Sequence, residues 1–407
     1  MDFDVVILGS DINAYYMARC CYEAYKIKPY LIAKEMMNFT GTSKILNISY
    51  ESNLWDTDTF RKTLKNFAEN HKGKKLILIG SNDFYIRLMV ENKYLLERYY
   101  EFYSIDLELL NNLLIKDKFY TVFKDSELDF PNTCIYPCNQ KKSISIKQLN
   151  SFKYPIILKP GNGVSYHKKE FSGQAKVYKL NSKKELLETI KKIEESGYDD
   201  NLIIQEFIPG DDTKLFDAIF FCDKNHNVTL STFAQIGLQE HTKTGIGNCT
   251  VLVNGFSEFG DFSNQVAKMK KFLEDINYEG FAEFDMKYDE RDGKYKVLEI
   301  NPRQARSSYY LTACGFNLVE YMVDDLIYNK VKEYTHIDKK CVLSFVPKTV
   351  INKYIDNPIL KKEIKNILRN NKIVNPLKCD LDKSIKRRLW LFVRKFNYIR
   401  KYAKNKW

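Results

Sequence analysis

Two stretches past the middle of the chain carry side chains that apolar strands do not need. "FAEFDMKY" (281–288) sets Glu283, Asp285 and Lys287 on one face and Phe284, Met286 and Tyr288 on the other, by the two-residue period of a strand. "YKVLEIN" (295–301) sets Tyr295, Val297, Glu299 and Asn301 on one face, with Leu298 and Ile300 anchoring the strand to a core. The connector "DERDGK" has turn chemistry. A hairpin symmetric about residue 292 puts Asp285 opposite Glu299 and Glu283 opposite Asn301. Like charges directly opposite destabilise a sheet. A divalent cation reverses that sign, and carboxylate and amide oxygens suit Mg²⁺. A solvated polar face is the alternative reading of the same residues. Arg303 and Arg306 follow at once in "NPRQARSS". A guanidinium fork suits a phosphoryl or carboxylate group, and a structural salt bridge is the competing role for Arg306.

Other stretches add polar groups at strand ends. Lys159 closes "YPIILKP" (154–160) and precedes the loop "GNGVSYHKKEFSGQ". Amides of such a loop can cradle phosphates, with a lysine as a point charge beside them. The GK[ST] ending of a Walker A loop is missing, and an ordinary strand-end lysine is the plain alternative. His167 in this loop has phosphate contact as one possible role. "IIQEFIPG" (203–210) runs a strand into Ile-Pro-Gly. Its backbone can pair with an adenine edge while Phe207 and Ile208 pack on the ring, or it is simply a strand end. "LQEHTKTGIGN" (238–248) gathers Glu240, His241, Thr242, Thr244 and Asn248 among glycines, a composition that fits substrate recognition on a loop. His241 is a candidate to orient a substrate or accept a proton; a lone loop histidine with neither role is the alternative.

The elements that must position these groups follow from periodicity. A strand at 5–10, a helix at 11–26, a strand in "PYLIAK", a helix at 56–70 and a strand at 75–80 alternate, which predicts a parallel α/β layer. The turn "LGSDINA" has one glycine and misses the GxGxxG spacing, so dinucleotide binding is not assigned to it. Beyond 116 come a helix from "KDKFYTVF", strands at 154–160 and 175–180, and a helix capped by Ser182, Glu185 and Gly197. Strands at 201–210, 214–222 and 228–236, a helix at 263–276 and the acidic hairpin complete the pattern. The expected parts are 1–115, 116–200, 201–332 and 333–407.

The 407 residues, 44% hydrophobic with 17 Gly and 10 Pro, describe a folded chain of more than one domain. No apolar run reaches a membrane span, and "MDFDVVILGSD" lacks a signal peptide's basic start, so a cytoplasmic protein is expected. Nine cysteines without such a signal point to free thiols. Cys134 and Cys138 lack the second pair a zinc site needs. The net charge of +12 favours anionic partners. Residues 383–407 hold ten Lys/Arg and no acid, interleaved with Leu, Trp, Phe, Ile and Tyr. That segment has three candidate roles: peripheral docking on the inner membrane face, a landing patch for an anionic substrate, or a helix packed on the core.

The order of these pieces resembles the ATP-grasp superfamily over about 116–330: a strand-end lysine, a glycine loop, Q-E-φ-I-P-G, an acidic strand, a turn, and E-I-N-P-R. The resemblance implies an ATP-grasp fold, α/β with an α+β ATP-binding part. It further implies an N-terminal parallel pre-ATP-grasp domain over 1–115, a lid subdomain over 116–200, a large subdomain with the metal site over 201–332, and a basic helical C-terminal extension. It implies that Lys118 and Lys159 contact ATP phosphates, that Gln205, Glu206, Phe207 and Ile208 hold adenine, and that Asp211 or Asp212 holds ribose. Asp285, Glu299 and Asn301 would bind Mg²⁺, and Arg303 would hold the phosphoryl group in transfer.

A narrower set of phrases, "VVILGSDINAYYMAR", "FIPGDDTKLF", "LQEHTKTGIGN", "FDMKYDERDGKYKVLEINPRQARSSYYLTACG" and "FVPK", resembles the D-aspartate ligases. That implies a carboxylate–amine ligase working through an acyl phosphate. Its amino-acid substrate would be D-aspartate, and its amine acceptor the lysine side chain of a nucleotide-linked peptidoglycan stem peptide. Glu240, His241, Thr242, Asn248, Arg303 and Arg306 are the substrate candidates. The rivals are another ATP-grasp amino-acid or dipeptide ligase, a carboxyphosphate-using carboxylase, and a nucleic-acid-binding protein. The last leaves the acidic pair near 285 and 299 without a purpose, because carboxylates repel phosphates unless a metal intervenes.

Overall fold

The computed structural model describes residues 2–138, 152–240, 242, 245 and 247–405. Its first sheet is the expected parallel layer: β1 (Phe3–Leu8), β2 (Tyr30–Ala33), β3 (Asn47–Tyr50) and β4 (Lys75–Gly80), in the order β3-β2-β1-β4, with β3 one strand more than the periodicity announced. Both faces are covered, as parallel strands require. Val6 and Leu8 pack with Phe60 and Leu64 of helix Thr57–Asn70. Val5 and Ile7 pack with Tyr16 and Met17 of helix Ile12–Tyr25. The turn "LGSDINA" serves the fold. Asp11 caps the helix through Asn13 N and Ala14 N, and its other carboxylate oxygen accepts from Ser81 Oγ and Asn82 Nδ2. A side chain at Gly9 (φ +119°) would run into Ser81 Oγ.

The second sheet is small and antiparallel: β5 (Thr133–Pro137), β6 (Ile156–Pro160), β7 (Tyr178–Leu180) and β8 (Asn201–Glu206), in the order β5-β8-β6-β7. Helix Lys183–Glu195 covers it with Leu186, Ile190 and Ile193. The expected cap is present, with Ser182 Oγ accepting from Glu185 N and Gly197 at φ +79°. One element lies elsewhere than the sequence placed it. Strand Asn201–Glu206, expected to open the large part, is an inner strand of this sheet, paired on both edges. Pairing partners are a long-range property that local pattern does not carry.

The third sheet has eight strands: β9 (Leu215–Cys222), β10 (Val228–Thr232), β11 (Ala234–Gln239), β12 (Cys249–Asn254), β13 (Gly280–Asp289), β14 (Lys294–Asn301), β15 (Thr335–Ile337) and β16 (Cys341–Ser344). The path is β14-β13-β9-β11-β12-β16, with β10 joining β9 to β15. The run read as one strand at 228–236 is two strands, divided at the fully buried Phe233, which stacks on Phe262.

The C-terminal part is built into this core. Strands β15 and β16 belong to the large sheet, and helix Ile385–Lys404 docks against it. The fully buried Tyr402 hydroxyl meets Thr250 Oγ1 of β12 and donates to the Gln239 carbonyl of β11. Arg387, 1% exposed, lies 3.4 Å from the centre of the Tyr15 ring, donates to the carbonyls of Phe39 and Leu377, and faces Asp382 at 3.5 Å. Among the described residues no helix is long and apolar enough to cross a membrane. Arg387→Ala would leave the buried Asp382 carboxylate without its cation. It is expected to cost about 3–5 kcal/mol, read as a fall in thermal unfolding temperature.

Candidate active site

The acidic hairpin has the pairing its symmetry predicts: Asp285 opposite Glu299 and Glu283 opposite Asn301. A β-bulge then shifts the register, so that Met286 pairs with Val297. The shift corrects the single face expected for Tyr295, Val297, Glu299 and Asn301. Tyr295 and Val297 join Ile300, Phe284 and Met286 in the core, while Leu298 is only half-buried. Strict alternation would have forced either Val297 out of the core or Glu299 into it; one extra residue lets both sit where their chemistry wants them. The Leu298 carbonyl takes a hydrogen bond from Tyr120, at 2.5 Å.

Strand β9 adds what the hairpin alone does not reveal. Asp217 pairs directly with Asp285. Asp217, Asp285 and Glu299 therefore form one row of carboxylates across three adjacent strands. Each end of the row is neutralised differently. Asp217 accepts from Ser307 Oγ at 2.6 Å and Tyr310 Oη at 3.3 Å, and burial raises its pKa. Glu299 takes an ion pair from Lys116, which holds its carboxyl down at about 2. The middle member, Asp285, receives the Asn301 amide at 3.2 Å; burial and then the Glu299 charge drive its pKa well above the usual carboxylate range. Glu283 is raised in the same way, by burial and by Asp285. Among the described residues no three His, Cys, Asp or Glu side chains are grouped as a metal site; Asp285 and Glu299 are the oxygen donors that could face a divalent cation, and the Asn301 amide oxygen is taken by Arg303.

Arg303 lies at the edge of this cluster. Its guanidinium bonds Asp83 Oδ1 at 2.7 Å and Asn301 Oδ1 at 3.1 Å, and faces Glu283 Oε2 at 3.6 Å. Asp83, from the start of helix Asp83–Glu91, is a residue the sequence analysis missed; its place just beyond the carboxyl end of a parallel strand was the available signal. Arg303, Asp285, Glu299 and Asn301 line a cavity of about 360 Å³ together with Lys116, Lys176, Asn248 and Arg306.

Lys118 is not brought to this cavity. It is exposed, and Lys116 holds the position beside Glu299. Lys159 is buried on β6, where its ammonium donates to Gln205 Oε1 at 3.0 Å and lies 5.2 Å from the Tyr120 ring centre. Burial, and then Lys116, pull its pKa down to about 7. Gln205 is fixed on its other side by Thr133 Oγ1. Phe207 lies beneath the Lys179 ammonium at 4.1 Å, and Ile208 is buried. Glu206 is engaged by Arg291 at 2.8 Å. Asp211 accepts from Thr213 N and Thr213 Oγ1 within the turn, and Asp212 accepts from Gln239 N at the end of β11.

On the opposite side, Glu240 is buried between Arg306, at 3.8 Å, and Lys401 of the C-terminal helix. Arg306 also donates to Tyr398 Oη at 3.2 Å and lies over the Phe345 ring, while its buried Nε has no partner among the described residues. Thr242 and Asn248 fold the loop through its own backbone, with Gly245 N bonded to Thr242 O and Asn248 N to Gly245 O. His241 and Thr244 lie outside the described residues. His167 is exposed.

This architecture, a parallel layer followed by a small antiparallel sheet and a large sheet bearing carboxylates, is the ATP-grasp fold. The chain is similar to the crystal structure of N5-carboxyaminoimidazole ribonucleotide synthetase from Thermus thermophilus, with TM-score 0.60 and 15% identity over 83% of this chain and 82% of that one. It is also similar to an L-amino acid ligase from Bacillus licheniformis, with TM-score 0.56 and 14% identity over 80% of this chain and 74% of that one. No family model matches. A curated D-aspartate ligase of Enterococcus faecium (strain Aus0004) is 33% identical over 99% of this chain and 96% of its own length. The chain belongs to the D-aspartate ligase family.

The environment of Lys159 has a measurable consequence. An ordinary lysine ionises near 10.4. With its folded pKa at about 7, the unfolded chain binds the extra proton between those values, so the Lys159 charge costs stability most below pH 7 and the cost fades as pH rises. Lys159→Met is therefore expected to change the unfolding temperature most favourably at or below neutral pH, with the difference from the parent shrinking toward pH 10. A pH series of thermal melts on both proteins reads this.

Proposed function

We propose that this chain is an ATP-dependent carboxylate–amine ligase that activates the β-carboxylate of D-aspartate. Its amine acceptor is the lysine side chain of a nucleotide-linked peptidoglycan stem peptide. The observation that carries the reading is the row Asp217–Asp285–Glu299, whose half-buried middle carboxylate lies between two others and lines a cavity shared with Arg303 and Arg306. Family membership supplies the substrate class; the D-aspartate ligase of Enterococcus faecium is similar over nearly its whole length.

A carboxylate does not acylate an amine in water, because its oxygen is a poor leaving group. Phosphorylation by ATP makes an acyl phosphate, from which the amine displaces phosphate. Such a transfer depends on positioning and on neutralising charge. Asp285, Glu299 and Asn301 would hold Mg²⁺, which when bound spreads the negative charge of the phosphate oxygens. Arg303, held by Asp83 and Asn301, presents its fork at the cavity where the transferred phosphoryl group would lie. Lys159 enters the site partly neutral and gains its proton most readily beside an anion, so nucleotide phosphates and the Lys159 charge favour each other. Gln205, Phe207 and Ile208 form the adenine side, where the backbone leaves β8. Arg306 is the group for a substrate carboxylate, with its neighbours Glu240 and Tyr398 setting its direction.

ADP release measured over a panel of D- and L-amino acids, with a lysine-containing acceptor, tests this. Turnover should require D-aspartate, and Glu299→Gln should lower kcat by about a hundredfold or more. Turnover driven by a different amino acid would overturn the substrate assignment. No amino-acid-dependent turnover at all would overturn the ligase reading.

A further inference from the structure

Helix Ile385–Lys404 has two faces of opposite character. Its inner face holds Arg387, Tyr398 and Tyr402, all buried against the body of the protein. Its outer face carries Ile385, Leu389, Phe392, Val393, Phe396 and Ile399, all exposed, with Ile385 at 80% and Leu389 at 64%. Steps of three and four residues, with Phe392 and Val393 adjacent, keep them in one sector of about 120°. A helix face that met only water would carry charge there. Charge gathers at the margins: Lys386 flanks the stripe on one side, Arg388 and Lys395 on the other, while Arg400 falls within the stripe in the last turns of the helix, and all four are exposed. The helix contains no acidic residue.

We infer that this outer face docks on a lipid bilayer rich in anionic headgroups. The helix lies in the plane of the interface, the six apolar side chains enter the headgroup–acyl boundary, and the flanking cations meet lipid phosphates. Charge complementarity selects this occupant. A second copy of the chain would bring two basic margins together with no acid in 383–407 to pair them. A nucleic acid would match the cations and leave the apolar stripe in water. The helix is already folded and pinned from its inner side, so docking carries no coil-to-helix ordering cost.

Co-sedimentation of the full chain with vesicles tests the inference independently of any ligase activity. Vesicles of equal parts phosphatidylglycerol and phosphatidylcholine should pellet the protein, and pure phosphatidylcholine vesicles much less. The triple variant Leu389→Glu, Phe392→Glu, Phe396→Glu should lose binding by about tenfold or more, while its unfolding temperature in vesicle-free buffer stays that of the parent. Raising the salt should weaken parental binding, because headgroup attraction is screened. Equal pelleting of parent and variant, or no pelleting of the parent, would sink the proposal. So would a parent that sediments as a dimer in vesicle-free buffer and that the triple variant converts to a monomer.

Discussion

Three carboxylates in one row across β9, β13 and β14 are the constraint around which the site is arranged. Directly opposed like charges cost a sheet stability, and burial makes the cost larger. The protein meets this at each position by a different means. Hydroxyls from Ser307 and Tyr310 satisfy Asp217, the Lys116 ammonium pairs with Glu299, and an amide from Asn301 meets Asp285. The middle position is the one met most weakly, and it faces the cavity. A carboxylate site that was to take up a cation would need such a position, because full internal neutralisation would leave nothing for the cation to gain.

The groups around that row come from every part of the chain. The parallel layer lends Asp83, which holds Arg303. The small sheet lends Lys159 and Gln205, whose side chains bond each other. The segment before it lends Lys116 and Tyr120, which meet Glu299 and the Leu298 carbonyl on β14. The C-terminal helix lends Tyr398 to Arg306 and Lys401 to Glu240. One helix thus ties Arg306 and Glu240 at the cavity to a basic, apolar outer surface.

The fold was largely legible because its local signals agree with one another. Five alternating segments announced the parallel layer, and the Ser182–Glu185–Gly197 cap announced its helix. The hairpin connector set the register of Asp285 against Glu299 without knowledge of any other strand. What escaped were features decided at a distance. Strand Asn201–Glu206 joined the small sheet through partners at β5 and β6. Lys116 and Lys118 lie two residues apart on one short helix, and only packing decides which meets Glu299.

The sequence by itself determined the acidic hairpin, the arginines after it and the order of motifs that marks an ATP-grasp ligase, because these depend on short spacings and turn chemistry. Tertiary structure alone decided that Asp217 extends the carboxylate row, that a bulge sends Val297 inward, that Asp83 holds Arg303, and that the C-terminal helix reaches Arg306 and Glu240. Apart from the bulge, which lies within one hairpin, each of those needs residues tens to hundreds of positions apart to meet. Their energies come from burial and paired charge, which exist only once the sheets have assembled.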